Sequence, residues 1–90
     1  MIRVRVPAPL RSLTEGKAQI LAEGETIEEL LQYLEDHYGG MRERLLDERG
    51  RIRPFVSLYI NQEDIRFRGG LRATLRDGDQ LSIVPAVAGG

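Results

Sequence analysis

Residues 2–8 read Ile-Arg-Val-Arg-Val-Pro-Ala, with Ile2, Val4 and Val6 alternating against Arg3 and Arg5. Successive side chains of a strand point to opposite faces, so a period of two predicts a half-buried β-strand. Pro9, Ser12, Thr14 and Gly16 predict a turn or loop over 9–16. Alternation resumes at 17–23, where Ala18, Ile20 and Ala22 oppose Lys17, Gln19 and Glu23, and Leu21 interrupts the polar side. Two strands around a short loop predict an N-terminal hairpin.

From Thr26 the period changes. Ile27, Leu30, Leu31, Leu34 and Tyr38 recur at helical spacing and form one apolar stripe. Thr26 and Glu29 have the spacing of a reciprocal capping box. Glu28 and Glu29 suit the positive end of the helix dipole, and His37 the negative end. Gly39 is placed for the left-handed stop. Met41 to Asp47 predicts a shorter helix with Leu45 and Met41 inward, and 47–54 a charged loop. Val56, Leu58 and Ile60 predict a strand with Phe55, Ser57 and Tyr59 on its outer side. A turn at 61–64, a short strand at 65–67, and turns at Gly69-Gly70 and Asp77-Gly78-Asp79 follow. Leu81, Ile83 and Pro85 close the pattern as a last strand. The order β-β-α-(α)-β-(β)-β predicts an α+β domain, in which an amphipathic helix covers one face of a mixed sheet of four to five strands. That is the order of a β-grasp, although other small α+β folds share it.

Composition narrows the chemistry. Ninety residues predict one small domain with little space for a deep cavity. Zero Cys excludes disulfides, thiolate nucleophiles and cysteine metal sites, and a single His leaves no His-rich metal cluster. A formal net charge of −1 gives no global attraction to nucleic acid or anionic lipid. No apolar run approaches a membrane span and no signal-peptide core is visible, so a soluble cytoplasmic protein is expected. No acid–base pair carries a catalytic motif and no cofactor signature is present, so neither catalytic residues nor a metal site are predicted.

The last residues hold the most specific signal. The division expected is a domain over 1–85 and a flexible tail over 86–90, Ala-Val-Ala-Gly-Gly, too poor in apolar area to be pinned down. Gly89 and Gly90 lack a Cβ and can thread a narrow slot, with Ala88 behind them. The reactive group at the tip is the Gly90 carboxylate. A carboxylate must be activated as an ester or mixed anhydride before a nucleophile attacks it, and an ATP-dependent partner can supply an acyl-adenylate. A frayed end is the plain alternative for such a tail.

The residues before the glycines carry a resemblance. The stretch from Asp77-Gly78-Asp79 through the apolar run 81–84 and Pro85 to Gly89-Gly90 resembles the ending of the ubiquitin-like sulfur carriers. These include the small subunit of molybdopterin synthase and the thiamine-biosynthesis carrier. Residues 55–67, 69–71 and 38–45 look like the branch that supplies sulfur for cysteine synthesis in actinobacteria, with Ser57 where that branch is expected to carry Asn. The resemblance implies a β-grasp fold and a non-catalytic carrier with no bound cofactor. It implies an E1-like adenylyltransferase and sulfurtransferase that uses ATP to activate Gly90 and leaves a thiocarboxylate. It implies a second, sulfur-accepting partner, either a cysteine-synthase-like enzyme or the large subunit of molybdopterin synthase. Molybdopterin, thiamine thiazole and a tRNA thionucleoside stay open as acceptors beside cysteine. A ubiquitin-like protein modifier, or a plain interaction module, is the alternative.

For docking, the outward sheet face should carry Arg3, Arg5, Phe55, Tyr59 and Val84, the arginine and aromatic composition of an interface. A solvated face with Arg stems over apolar rings is the plain alternative. Arg66, Arg68, Arg72 and Arg76 surround Phe67, but the acidic balance favours a solvated rim over nucleic-acid binding. Lys17 stands alone against twelve arginines, so chain building through lysine is not expected.

Overall fold

The computed structural model describes residues 1–85; the predicted tail, 86–90, lies outside the described residues. Strands β1 (Ile2–Arg5) and β2 (Gln19–Ala22) form the expected antiparallel hairpin, with Ile2 opposite Ala22 and Arg5 opposite Gln19. Their connection is not the predicted open loop. Ala8–Thr14 winds as a 3-10 helix that starts beside a proline, where no N–H is needed, and buries Leu10 and Thr14. Ala18, expected inward, is exposed because regular pairing begins at Gln19.

Helix α1 (Ile27–His37) starts where the sequence places it. Thr26 Oγ1 accepts the Glu29 amide at 3.2 Å. The reciprocal bond closes one residue upstream: Glu29 Oε1 accepts from the Glu25 amide at 3.1 Å rather than from Thr26. Ile27, Leu30, Leu31 and Leu34 are fully buried on the sheet. Each such side chain contributes roughly 1.5–3 kcal/mol of apolar burial, so packing, not capping, holds the helix in place. Gly24 lets α1 sit tightly against the end of β2, since a Cβ there would lie 2.6 Å from the Leu30 nitrogen. Gly39 is not the left-handed residue at the end of α1. That conformation falls on Gly40, with φ of 98°, which also caps α2 (Met41–Leu45). Glu35 explains the shift, because its carboxylate accepts the Gly40 and Arg42 amides at 3.2 and 2.9 Å.

Strand β3 (Val56–Ile60) turns through Asn61 into β4 (Glu63–Asp64). The short strand expected at 65–67 is instead a 3-10 turn, Ile65–Phe67. Asp64 causes this: it accepts the Arg66 amide at 2.9 Å, which winds the chain and sends Ile65 into the core. Strand β5 (Gln80–Pro85) then enters the sheet centre, antiparallel to β3 and parallel to β1. The five-stranded order is β2-β1-β5-β3-β4, the ubiquitin-like β-grasp. Val4, Ile20, Leu58, Leu81 and Ile83 face the helices and make the core. Among the described residues no helix is long and apolar enough to cross a membrane.

Candidate functional site

β1 and β5 are parallel, so both run toward the same end of the sheet. Pro85 ends β5 there, and residues 86–90 continue from it. The outer sheet face at this end is the surface nearest to the point where the C-terminal residues depart.

The strand pairings place the predicted docking residues on that face. Arg5 pairs across with Ser82, Tyr59 pairs with Ser82 from the other side, and Val84 lies opposite Ser57. Arg5, Ser82 and Tyr59 therefore form one row across the three central strands, with Val84 one step closer to Pro85. Val84 is 44% exposed and Phe55, just ahead of β3, is 53% exposed. Tyr59 is half-buried. Arg3 pairs with Gln80 and so belongs to the far half of the face. The structure thus places Val84 and Phe55 at the end of β5, Arg5 and Tyr59 in the row behind them, and Arg3 two residues further back on β1. Ala88, Gly89 and Gly90 lie outside the described residues.

The sequence reading missed one contributor. Arg11 lies on the 3-10 helix that follows β1, and its Nε donates to the Val6 carbonyl at 3.1 Å. That bond swings the guanidinium beside a shallow depression shared with Arg5, Gln19, Ser82 and Val84. The segment read as a loop, so nothing fixed the direction of Arg11. Pro7 and Pro9 ahead of Leu10 were the available signal for a helical turn. No ion pair to Arg3, Arg5 or Arg11 is present among the described residues, which leaves this end of the face with positive charge around an apolar Val84 and Phe55.

Several other charged residues serve the fold. Arg66 pairs with the buried Asp64 carboxylate at 2.6 Å, and Arg68 with Glu63 at 3.6 Å. The Arg66 guanidinium, then its amide, hold Asp64 below the usual carboxylate range. Asp79 is also lowered, first by the Arg76 amide and further by Asn61. Asp77 pairs with the Met1 amine at the opposite end of the sheet, which lowers it too. His37 stacks on Tyr33 with ring centroids 3.9 Å apart and donates through Nδ1 to the Tyr33 carbonyl. Among the described residues no group of three or more His, Asp or Glu is placed to hold a metal ion.

A solved structure superposes closely on this arrangement. A chain of the Amycolatopsis orientalis BexX/CysO complex matches with a TM-score of 0.94 and 41% identity over the whole of both chains. The family model of ThiS matches residues 4–90. The chain belongs to the ThiS family. This agrees with the resemblance carried by residues 77–90 and 55–71. Within reach of the same family, the Mycobacterium tuberculosis protein named sulfur carrier protein CysO is 43% identical over 91 residues, covering 99% of this chain and 98% of that one. A putative sulfur carrier protein of Archaeoglobus fulgidus is 39% identical over 89 residues, with the same coverage. The likeness spans essentially the whole chain, not an isolated motif.

Proposed function

We propose that this protein is a sulfur carrier, not an enzyme, and that its working group is the carboxyl of Gly90. The observation that carries the reading is that the family match runs through to residue 90 and so takes in Gly89-Gly90. The near full-length likeness to a mycobacterial sulfur carrier supports it and favours cysteine as the final sulfur acceptor, ahead of molybdopterin or thiamine thiazole.

The chemistry follows from the carboxylate. A Gly90 oxygen attacks the α-phosphorus of ATP on an E1-like partner, pyrophosphate leaves, and an acyl-adenylate forms. A sulfur nucleophile at the sulfide level then adds to the acyl carbon, AMP leaves, and the product is a C-terminal thiocarboxylate. Its sulfur is anionic and nucleophilic in the manner of a thiolate. A sulfur-accepting enzyme of the cysteine-synthase type takes it from there. Glycine at the last two positions removes side-chain obstruction at the acyl carbon and lets the partner close around the backbone. Ala88 adds only a methyl group to the threading segment.

Docking belongs to the outer face beside the end of β5. Val84 and Phe55 supply an apolar centre, Tyr59 an aromatic edge, and Arg5 and Arg11 a positive rim. Arg3 extends the rim toward the far end. An acidic rim around an apolar pocket on the activating partner complements this surface.

The test is intact mass after incubation with ATP, a sulfide source and the activating enzyme. Replacement of one C-terminal oxygen by sulfur is expected. An unchanged mass, with an enzyme proven active on its own carrier, overturns the reading.

A further inference from the structure

Leu21 interrupts the polar side of β2, and in the structure it is 51% exposed. The core does not use it, since Ile20 and Ala22 are the β2 residues that enter the core. β2 is also an edge strand, because the order β2-β1-β5-β3-β4 leaves one of its sides unpaired.

The direction of its backbone groups follows from β1. The Arg3 amide donates to the Asp79 carbonyl at 3.0 Å, on the β5 side, and the Val6 amide donates to the Ala18 carbonyl at 2.8 Å, on the β2 side. Backbone polar groups alternate from one side of a strand to the other, so the even positions of β1 face β2. The register of Val4 with Ile20 and of Ile2 with Ala22 then commits Ala18, Ile20 and Ala22 to the ladder with β1. Gln19 and Leu21 aim their N–H and C=O groups away from the sheet, and no turn or loop backbone among the described residues closes over them. Such a row of unpaired groups is a template for another strand. The opposite edge offers none of this length: β4 has two residues, and Asp64 winds the chain into a 3-10 turn directly after it.

We propose that this edge pairs with the same edge of a second copy of the chain, β2 antiparallel to β2 about a two-fold axis beside Ile20. Residues whose polar groups point outward must lie opposite one another, which sets Gln19 opposite Leu21 of the second copy and Leu21 opposite its Gln19. Centred there, the two ladders overlap over their whole length, 18–22. One residue beyond the ladder at each end, the same register sets Lys17 opposite Glu23 of the second copy and Glu23 opposite its Lys17. The edge is therefore complementary in charge to itself. Lys17 and Glu23 are both exposed, and neither joins an ion pair among the described residues. The two Leu21 positions fall diagonally across the seam, a spacing that long side chains bridge. Such an isologous contact joins two five-stranded sheets with their outer faces on one side. The face beside the end of β5 stays open on each copy, and the inference stands without the carrier reading because it uses β2 alone.

Sedimentation equilibrium of the full chain tests this between about 10 μM and about 1 mM, where weak interfaces titrate. The mass should rise from the 10.2 kDa of one chain toward twice that value. Lys17→Glu sets like charges opposite each other at both ends of the seam, as does Glu23→Lys, and each alone should weaken association about tenfold or more. An equimolar mixture of the two variants should restore it, since one chain is then acidic at both positions and the other basic at both. Both positions are exposed, so each variant should keep the melting temperature of the parent. Hydrogen exchange on the parent needs no variant. The Gln19 and Leu21 amides should exchange more slowly as concentration rises, while that of Ile20, already bonded to β1, should not change. A single-chain mass across the range, a dimer that survives either single variant, a mixture that stays monomeric, or Gln19 and Leu21 amides that keep one exchange rate throughout would each overturn the assignment.

Discussion

Val84 occupies the water side of a central strand, 44% exposed, while its neighbours Leu81 and Ile83 fill the core. Nothing in the packing of the domain requires an apolar residue there, since the Cβ environment is solvent on one side and Ser57 across the ladder. The proposed docking face would account for it, with a partner covering the side chain. Val84→Asp should leave the melting temperature within a degree or two, as surface changes generally do. It should raise the KM of the activating enzyme roughly 5–30-fold, the effect of about 1–2 kcal/mol at an interface centre. Steady-state pyrophosphate release measures it, and an unchanged KM would remove Val84 from the docking surface. At this scale the sequence was informative. The parity of β1, β3 and β5 alone assigns Arg3, Arg5, Tyr59 and Val84 to the outer face. The order of these residues along the face was not legible, because which of them lie nearest the end of β5 depends on its register with β1 and β3.

Elements with a strong period and a cap were readable, and those shaped by one side chain bonding locally were not. α1 shows both cases. Its apolar stripe and the Thr26 cap lie where the spacing puts them, yet Glu29 serves the Glu25 amide. The reason is tertiary: residues 25–27 are held against 73–75, with Ile27 donating to the Ala73 carbonyl and Leu75 donating to that of Glu25. Asp64 and Glu35 act similarly, each turning the chain by accepting amides ahead of it. Alternation cannot reveal such bonds, so Ile65–Phe67 read as a strand and Gly39 as the helix stop. The Thr26 hydroxyl is the testable part. Thr26→Ala should lower unfolding free energy by about 1 kcal/mol, the usual cost of a lost N-cap, whereas Thr26→Ser should be close to neutral. Urea denaturation of both variants checks this. Equal losses would mean that the methyl group, not the oxygen, is what the site uses.

For the whole molecule, four carboxylates link stability to acidity. Asp64, Asp47, Asp77 and Asp79 all sit below the usual aspartate value of 3.8, held by Arg66, by the Arg51 amide, by the Met1 amine and by the Arg76 amide respectively. A carboxyl that is more acidic in the folded state stabilises the fold fully above its unfolded pKa. That contribution disappears as pH falls through the unfolded value toward the folded one. The melting temperature should be flat from pH 7 to about 5 and decline below about 4, near the unfolded aspartate pKa. Asp64→Asn should start lower at neutral pH and decline less steeply, because Arg66 then gains nothing from ionisation. Thermal melts across pH 3 to 7 decide it, and parallel curves for parent and variant would show that the Asp64–Arg66 pair contributes no linkage.

The same scale separates the folded body from the working group. Among the described residues, which end at Pro85, the strands, the helical cover and the core form one unit, with β5 closed between β1 and β3. Under the proposed function, sulfur chemistry in a chain with zero Cys would depend on residues beyond that strand, and on none of the side chains that hold the fold. Stability and transfer should come apart under truncation. Removing Gly90 should leave the melting temperature unchanged and abolish thiocarboxylate formation, since Gly89 would present its carboxyl one residue, about 3.5 Å, short of the partner's nucleotide. Appending a single Ala after Gly90 should have the same effect for the opposite reason, by placing the carboxyl too far and adding a methyl group at the acyl carbon. Melting curves paired with intact mass after the ATP and sulfide reaction give both readouts on one sample. A truncated chain that still acquires sulfur would show that activation tolerates a change in reach, and the terminal glycine would then be dispensable. A truncated chain that melts earlier would show that the last residues pack on the domain, and the division at Pro85 would have to move.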